Sequence, residues 1–256
     1  MVLDPLAAFR LDDKVVLVTG ASAGLGERFA RVVDKVGARV AITARRSDRL
    51  DDLARELRDP HILTADLTRD GSAERLVADT IAHFGRIDVL VNNAGFSDPV
   101  ATLDETNDHF DASLAVNLVA PYRLAREAAR EMVARDGGVI VNIASLWGLV
   151  GVGQIPEAGY AASKGAIVNL TRELAAQWAR KGVRVNALCP GWFPTEMTNG
   201  RMFGDPASEK WMRGRTPMGR GGREHELDGA LLYLASDAST FATGSVLVVD
   251  GGWTAI

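Results

Sequence analysis

The sequence predicts an α/β fold: a doubly wound sheet of about seven parallel strands with helices on both faces. Seven short runs rich in Val and Ile recur along it, "KVVLVT", "ARVAITA", "HILTA", "IDVLVNN", "GVIVNIA", "VRVNALC" and "SVLVVDG". Between them lie segments of helical periodicity such as "LGERFARVVDKV" and "GSAERLVADTIAHF". Strands that are apolar on both faces and separated by helices belong to a parallel sheet covered on both sides. The 256 residues suit a single domain spanning 1–256, and no repeat or linker divides them.

Composition narrows the class. A net charge of −4 argues against a nucleic-acid surface. No run approaches the ~20 apolar residues of a membrane span. The start, "MVLDPLAAFRLDDK", has no basic region followed by a long apolar core, so no signal peptide is expected and the location is read as cytoplasmic. The single cysteine, Cys189, reads as the end of a buried strand. The four histidines, His61, His83, His109 and His225, are scattered without ligand spacing, so no metal site is expected.

Taken in chain order, the first strand leads into "VTGASAGLGERFA", which sets Gly20, Gly24 and Gly26 ahead of the first helix. The spacing is G-x-x-x-G-x-G rather than G-x-G-x-x-G, but the physics is shared. Glycines let the backbone turn sharply and bring N–H groups at a helix N-terminus up to a pyrophosphate. Packing alone would also use glycines here; their place in the first strand–helix turn of a parallel sheet favours a phosphate site. The second strand ends at Ala44, where an acidic residue would bind ribose hydroxyls, and Arg45 and Arg46 follow. Arginine forks suit phosphate oxygens, although a solvated basic loop has the same composition. Asp66, in "TADLT" after the third strand, suits a helix cap. "NNAG" (92–95) reads as a tight turn after the fourth strand.

Asn117 interrupts the helix-like stretch that follows, an unfavourable place for Asn on propensity. Ser145 comes just after the fifth strand, a common place for a turn or cap serine. "GYAASKGA" then places Tyr160 and Lys164 four apart, on one face of a helix. Alone, the pair could be a packed ring beside a solvated lysine. From 192 to 223 the pattern fails in a stretch rich in Gly, Pro, Met, Trp and Arg, read as a substrate lid holding one or two short helices.

"TGASAGLG" (19–26), "NNAG", Asn117, Ser145, "YAASK" (160–164) and "PG…T" (190–195) occur in the order seen in the classical short-chain dehydrogenase/reductase family. The chain resembles that family over essentially its whole length, with 3-oxoacyl reductases and gluconate 5-dehydrogenases among the similar members. The resemblance implies a Rossmann-type fold and an enzyme that passes hydride between a nicotinamide cofactor and a carbonyl or secondary alcohol carbon. It implies cofactor contacts at Gly20, Ser22, Ala23, Gly24, Leu25, Gly26, Arg45, Arg46, Asp66, Leu67, Asn93, Ala94, Gly95, Tyr160, Lys164, Pro190, Gly191 and Thr195. Asn93 would brace the sheet, Asp66 would accept from the adenine, and Thr195 would bind the carboxamide or a phosphate.

The implied catalytic set is Asn117, Ser145, Tyr160 and Lys164. A free phenol titrates at about 10. A lysine ammonium and an oxidised nicotinamide nearby would lower that value and let Tyr160 act as acid in reduction and base in oxidation. Lys164 would also hold the nicotinamide ribose, Ser145 the substrate oxygen, and Asn117 a water. The absence of an acid at Ala44 points to NADP(H), with NAD(H) possible; Ala23, often basic in NADP-preferring members, points the other way.

For the substrate, Phe96, Trp147, Trp192, Phe193, Met202, Trp211 and Met212 fall in segments that line the pocket in the family the chain resembles, which would favour an apolar or aromatic carbonyl compound. "PGWFPTEMT" is also similar to sugar-acid dehydrogenases, which keeps a sugar acid or polyol open. Asp136 and Ala176 stand where carrier-protein reductases place docking arginines, so no carrier protein is expected. A non-catalytic nucleotide sensor, or lyase or epimerase chemistry, would use the same fold; the complete Ser–Tyr–Lys set argues against the sensor. Apolar positions along 104–134 and 157–181, including Leu114, Val116, Leu118, Leu170, Leu174 and Trp178, predict a homo-oligomer, a homotetramer ahead of a homodimer.

Overall fold

The computed structural model describes residues 4–135 and 137–256; Asp136, one of the two carrier-docking positions, lies outside them. All seven expected strands form. They are β1 (Val15–Thr19), β2 (Arg39–Ala44), β3 (His61–Thr64), β4 (Val89–Asn92), β5 (Gly138–Ile143), β6 (Val183–Pro190) and β7 (Val246–Val249). They make one parallel sheet in the order β3-β2-β1-β4-β5-β6-β7.

The helices between them are α1 (Gly24–Lys35), α2 (Ser47–Ala54), α3 (Ser72–Phe84), α4 (Asn107–Leu114), α5 (Ala120–Val133), α6 (Ala158–Trp178), α7 (Pro206–Arg215) and α8 (Asp228–Ala235). Alternate side chains of β1 explain why its run is apolar throughout. Val16 and Val18 pack with Phe29 of α1, Leu50 of α2 and Leu231 of α8. Val15 and Leu17 pack on the other face with Leu76 of α3, Leu124 of α5 and Leu174 of α6. Each layer excludes water from one face of the sheet, so neither face tolerates a polar alternation.

β1 pairs with β2 on one side and β4 on the other, so the order reverses there. A crevice opens at such a switch point, beyond the carboxyl ends of the strands. The stretch holding Asn117 is a π-helical turn (Ala115–Val119) that joins α4 to α5. Pro121 has no N–H to give the Asn117 carbonyl four residues back, which breaks the α-helical ladder at that point.

The segment 192–223 contains one α-helix, α7, started by Asp205, whose carboxylate accepts from Ser208 N at 2.8 Å. It is well anchored. Trp192, Met202 and Met212 are buried against Leu146 and Trp253.

Candidate active site

The first turn after β1 is built from backbone that only glycine tolerates. Gly20 and Gly24 have φ of +67° and +58°. A Cβ on Gly20 would stand 2.7 Å from Ala94 Cα, and one on Gly26 would stand 2.3 Å from the Gly20 carbonyl oxygen. Asn93 locks the turn: its Nδ2 donates to Thr19 O at 3.0 Å, while Asn93 N and Ala94 N both donate to Thr19 Oγ1 at 3.0 Å. α1 starts without a side-chain cap, so its first amides keep their donor capacity toward the crevice. Thr195 closes the turn from the opposite side, 3.2 Å from where a Gly24 Cβ would be.

These residues open into a cavity of about 640 Å³. The uncapped helix start and glycine cradle suit a pyrophosphate, so the site fits a dinucleotide. Ser22, Ala23, Leu25, Leu67, Gly95, Pro190 and Gly191 line it as expected; Gly26 packs behind the turn. Asp66 Oδ1 accepts from Thr68 N and Oγ1 at 3.0 and 2.7 Å, which holds its carboxyl below the usual range.

The two arginines differ. Arg45 is exposed at the rim, with no hydrogen bond or ion pair among the described residues. Arg46 is held by Glu196, with Nη2 to Oε2 at 2.9 Å, and by Ser22 Oγ at 3.2 Å. That ion pair lowers the Glu196 carboxyl and ties the 192–223 segment to the rim of the cavity.

At the other end, β5 delivers Ser145 and α6 delivers Tyr160 and Lys164 to the same wall. Ser145 Oγ caps the short turn after β5 by accepting from Trp147 N at 3.3 Å. Lys164 is 4% exposed, and its Nζ donates to the Ile143 carbonyl at 2.8 Å while lying 5.5 Å from the Tyr160 ring centre. Gly95 lies between Lys164 and Asn117: a Cβ there would be 3.8 Å from Lys164 Nζ and 3.5 Å from Asn117 Oδ1.

The protein's own groups raise the phenol, whereas the expected lowering also invoked the charge of an oxidised nicotinamide. Burial pushes Tyr160 up to about 12; the Ser145 hydroxyl pulls it down, and the negative Glu157 and the Cys189 thiol push it further up. Burial pushes Lys164 down to about 8. The Lys164 ammonium gives one of its three N–H donors to Ile143, and burial is the largest influence on the phenol. Asn117 makes three side-chain hydrogen bonds. Its Oδ1 accepts from Phe96 N at 2.7 Å, and its Nδ2 donates to Phe96 O at 2.8 Å and Ser163 Oγ at 3.1 Å.

Of the aromatic and sulfur side chains named for the substrate, Phe96, Trp147, Trp192, Phe193 and Met202 line the cavity. Trp211 and Met212 do not. Met212 is buried, and Trp211 stacks edge-on against Trp253 at 5.2 Å with Arg215 over both rings. Trp147 meets Tyr160 edge-on at 5.7 Å.

The sequence reading missed Glu157, Ser97 and Arg201, which also line this wall. Only Glu157 left a signal: an acid directly before the Tyr160 helix, in "QIPEAG". Nor are the histidines all scattered, since β3 and α3 stack His61 on His83 at 4.2 Å. Burial pushes the Cys189 thiol up to about 11, which leaves it inert.

The comparisons agree with this geometry. A family model described as Enoyl-(Acyl carrier protein) reductase matches residues 20–254. Galactitol 2-dehydrogenase (L-tagatose-forming) from Cereibacter sphaeroides is 39% identical over 254 residues, covering 98% of this chain and 99% of that protein. Gluconate 5-dehydrogenase from Gluconobacter oxydans is 36% identical, covering 96% of each. Among solved structures, a gluconate 5-dehydrogenase from Burkholderia cenocepacia in complex with NADP and tartrate superposes with a TM-score of 0.93 at 37% identity, over 99% of this chain and 100% of that one. Likeness over nearly the whole of each compared pair, in sequence and in fold, places this chain in the short-chain dehydrogenase/reductase family of oxidoreductases acting on alcohol and carbonyl groups.

Proposed function

We propose that the chain is an NADP(H)-dependent oxidoreductase, acting in the cytoplasm, with Tyr160 as its general acid and base. The observation that carries this reading is the convergence of Ser145, Tyr160 and Lys164 on a cavity whose far end is the glycine cradle. A bound nicotinamide would supply or take the hydride. Ser145 donates a hydrogen bond to the substrate oxygen; Tyr160 gives that oxygen its proton in reduction and removes it in oxidation. Lys164 would hold the cofactor's ribose.

Support for NADP(H) comes from Ala44 and the unpartnered Arg45, and several similar structures are described with bound NADP. A 2′-phosphate would meet Arg45 directly but would compete with Glu196 for Arg46. That competition favours a graded preference over an absolute one.

A homo-oligomer, a homotetramer ahead of a homodimer, is also proposed, on a narrower basis than the sequence suggested. Leu174 is buried in the chain's own core and Leu170 and Trp178 pack against it, whereas Val119, Tyr122 and Val133 stay exposed along the π-turn and α5. A monomer by light scattering at micromolar concentration would reject it. The catalytic reading is tested by following reduced-cofactor absorbance over ketones, 3-oxoesters, sugar acids and polyols. Turnover is expected with at least one class; tight NADPH binding without turnover on any would restore the sensor.

A further inference from the structure

We propose that Glu157 is the specificity-determining residue of the substrate site, and that it accepts a hydrogen bond from a hydroxyl on a polyhydroxylated substrate. The inference rests on the proposed function and names the substrate class of that site. Glu157 is 8% exposed, immediately before α6 and three residues ahead of Tyr160, and both side chains line the cavity. Its Oε1 accepts from the Ser97 hydroxyl. No described residue donates to Oε2, yet Oε2 is not sealed away, because it is absent from the fully buried, unpartnered polar atoms.

A largely desolvated carboxylate with one donor is costly unless something in the cavity completes it. Burial pushes the Glu157 carboxyl above its ordinary range, and once ionised it only accepts, so the partner that completes the carboxylate must be a donor. An ammonium would donate, but Arg201 lines the same cavity and would repel it. Arg201 is only loosely engaged elsewhere, 3.7 Å from Asp98. A hydroxyl satisfies both neighbours, donating to Glu157 and accepting from Arg201. A plain apolar ketone satisfies neither and would bury Oε2 without a donor. Glu157 and Arg201 therefore outweigh the Trp147 and Met202 wall, which by itself suggested an apolar or aromatic carbonyl.

The alternative is that Glu157 only fastens the 97–100 loop, through Ser97 and the bridge between Val100 and Glu157. Glu157→Gln separates the two. Its amide oxygen still accepts from Ser97, so the loop stays fastened, while the acceptor offered to the cavity becomes a donor. The experiment compares oxidation of galactitol, gluconate and cyclohexanol with NADP⁺ by wild type and E157Q. Any general change at Tyr160 cancels in the ratio of kcat/KM for the better polyhydroxylated probe to that for cyclohexanol. Wild type is expected to favour the polyhydroxylated probe, and E157Q to lower the ratio about tenfold or more, chiefly through KM. An unchanged ratio, or a wild type that oxidises cyclohexanol and neither polyhydroxylated probe, overturns the assignment. Tyr160→Phe tests the parent reading separately: if that variant keeps turnover, the acid–base role falls whatever Glu157 does to the ratio.

Discussion

The two ends of the cavity are made differently. Around the glycine turn the closest contacts are to backbone: Gly26 lies against the Gly20 carbonyl and Gly20 against Ala94, with the Asn93 side chain pinning them to Thr19. At the substrate end the walls are side chains from distant parts of the chain, among them Trp147, Trp192, Met202, Glu157 and Arg201. Backbone contacts leave one allowed residue and tolerate no drift. Side-chain walls can be rebuilt around a different substrate without disturbing the sheet. The difference teaches where variation is affordable: the cradle has one solution, and the substrate wall has many.

The largest expected effect belongs to the chemistry between these ends. Tyr160→Phe removes only a hydroxyl, and carbonyl reduction should fall at least ~10²-fold. NADPH affinity, read by fluorescence titration, should hold nearly steady. A parallel collapse of cofactor binding would mean the two ends are not separable.

Next comes the cradle. Gly26→Ala puts a methyl 2.3 Å from the Gly20 backbone oxygen and 2.4 Å from Asn93 Nδ2, which is itself tied to Thr19 O. It should destabilise the fold by about 1–3 kcal/mol, visible as a lower Tm, and weaken NADPH binding. A variant with wild-type Tm and affinity would show that the cradle adapts as readily as the substrate wall.

A smaller effect is expected at the rim. NADP(H) should be preferred over NAD(H) by about tenfold in kcat/KM, on the order of 1.4 kcal/mol, and Arg45→Ala should erode that preference. Glu196→Gln frees Arg46 from an exposed ion pair and should tighten NADP⁺ binding by no more than about fivefold, the scale of such pairs. Looser binding in E196Q would show that Glu196 positions Arg46 rather than competing for it.

The smallest is a shift in titration. With Tyr160 pushed up to about 12, its phenolate in the cofactor-free protein should form above the range of a free phenol, measured as wild type minus Y160F in ultraviolet difference spectra. Glu157 contributes negative charge that disfavours the phenolate, so Glu157→Gln should move the transition to lower pH. The rising limb of the oxidation rate should move the same way. A shift to higher pH would mean that Glu157 does not act on the phenol through its charge.

Much of this was legible in the sequence because it depends on short spacings. Tyr160 and Lys164 share a helix face at four residues apart, and three glycines between the first strand and the first helix suit a sharp turn. Other features could not be read. Glu157 and Ser97 are 60 residues apart and meet only because the loop after β4 lies against the start of α6. The family resemblance implied Trp211 as a pocket residue; it packs on Trp253 and does not line the cavity. The bonds of the Asn117 amide to Phe96 and Ser163 could not be read either, since they join three segments distant in the chain.

By itself the sequence determined the layered parallel sheet and the helix face shared by Tyr160 and Lys164, because apolar periodicity and local spacing act over a few residues at a time; Ser145 joined them through the family resemblance. The tertiary structure alone decided the electrostatics: a phenol raised by burial, a lysine turned to the Ile143 carbonyl, an arginine taken by Glu196 and a carboxylate left with one open oxygen. Desolvation and hydrogen bonding depend on which distant segments close over a group, and no spacing along the chain records that.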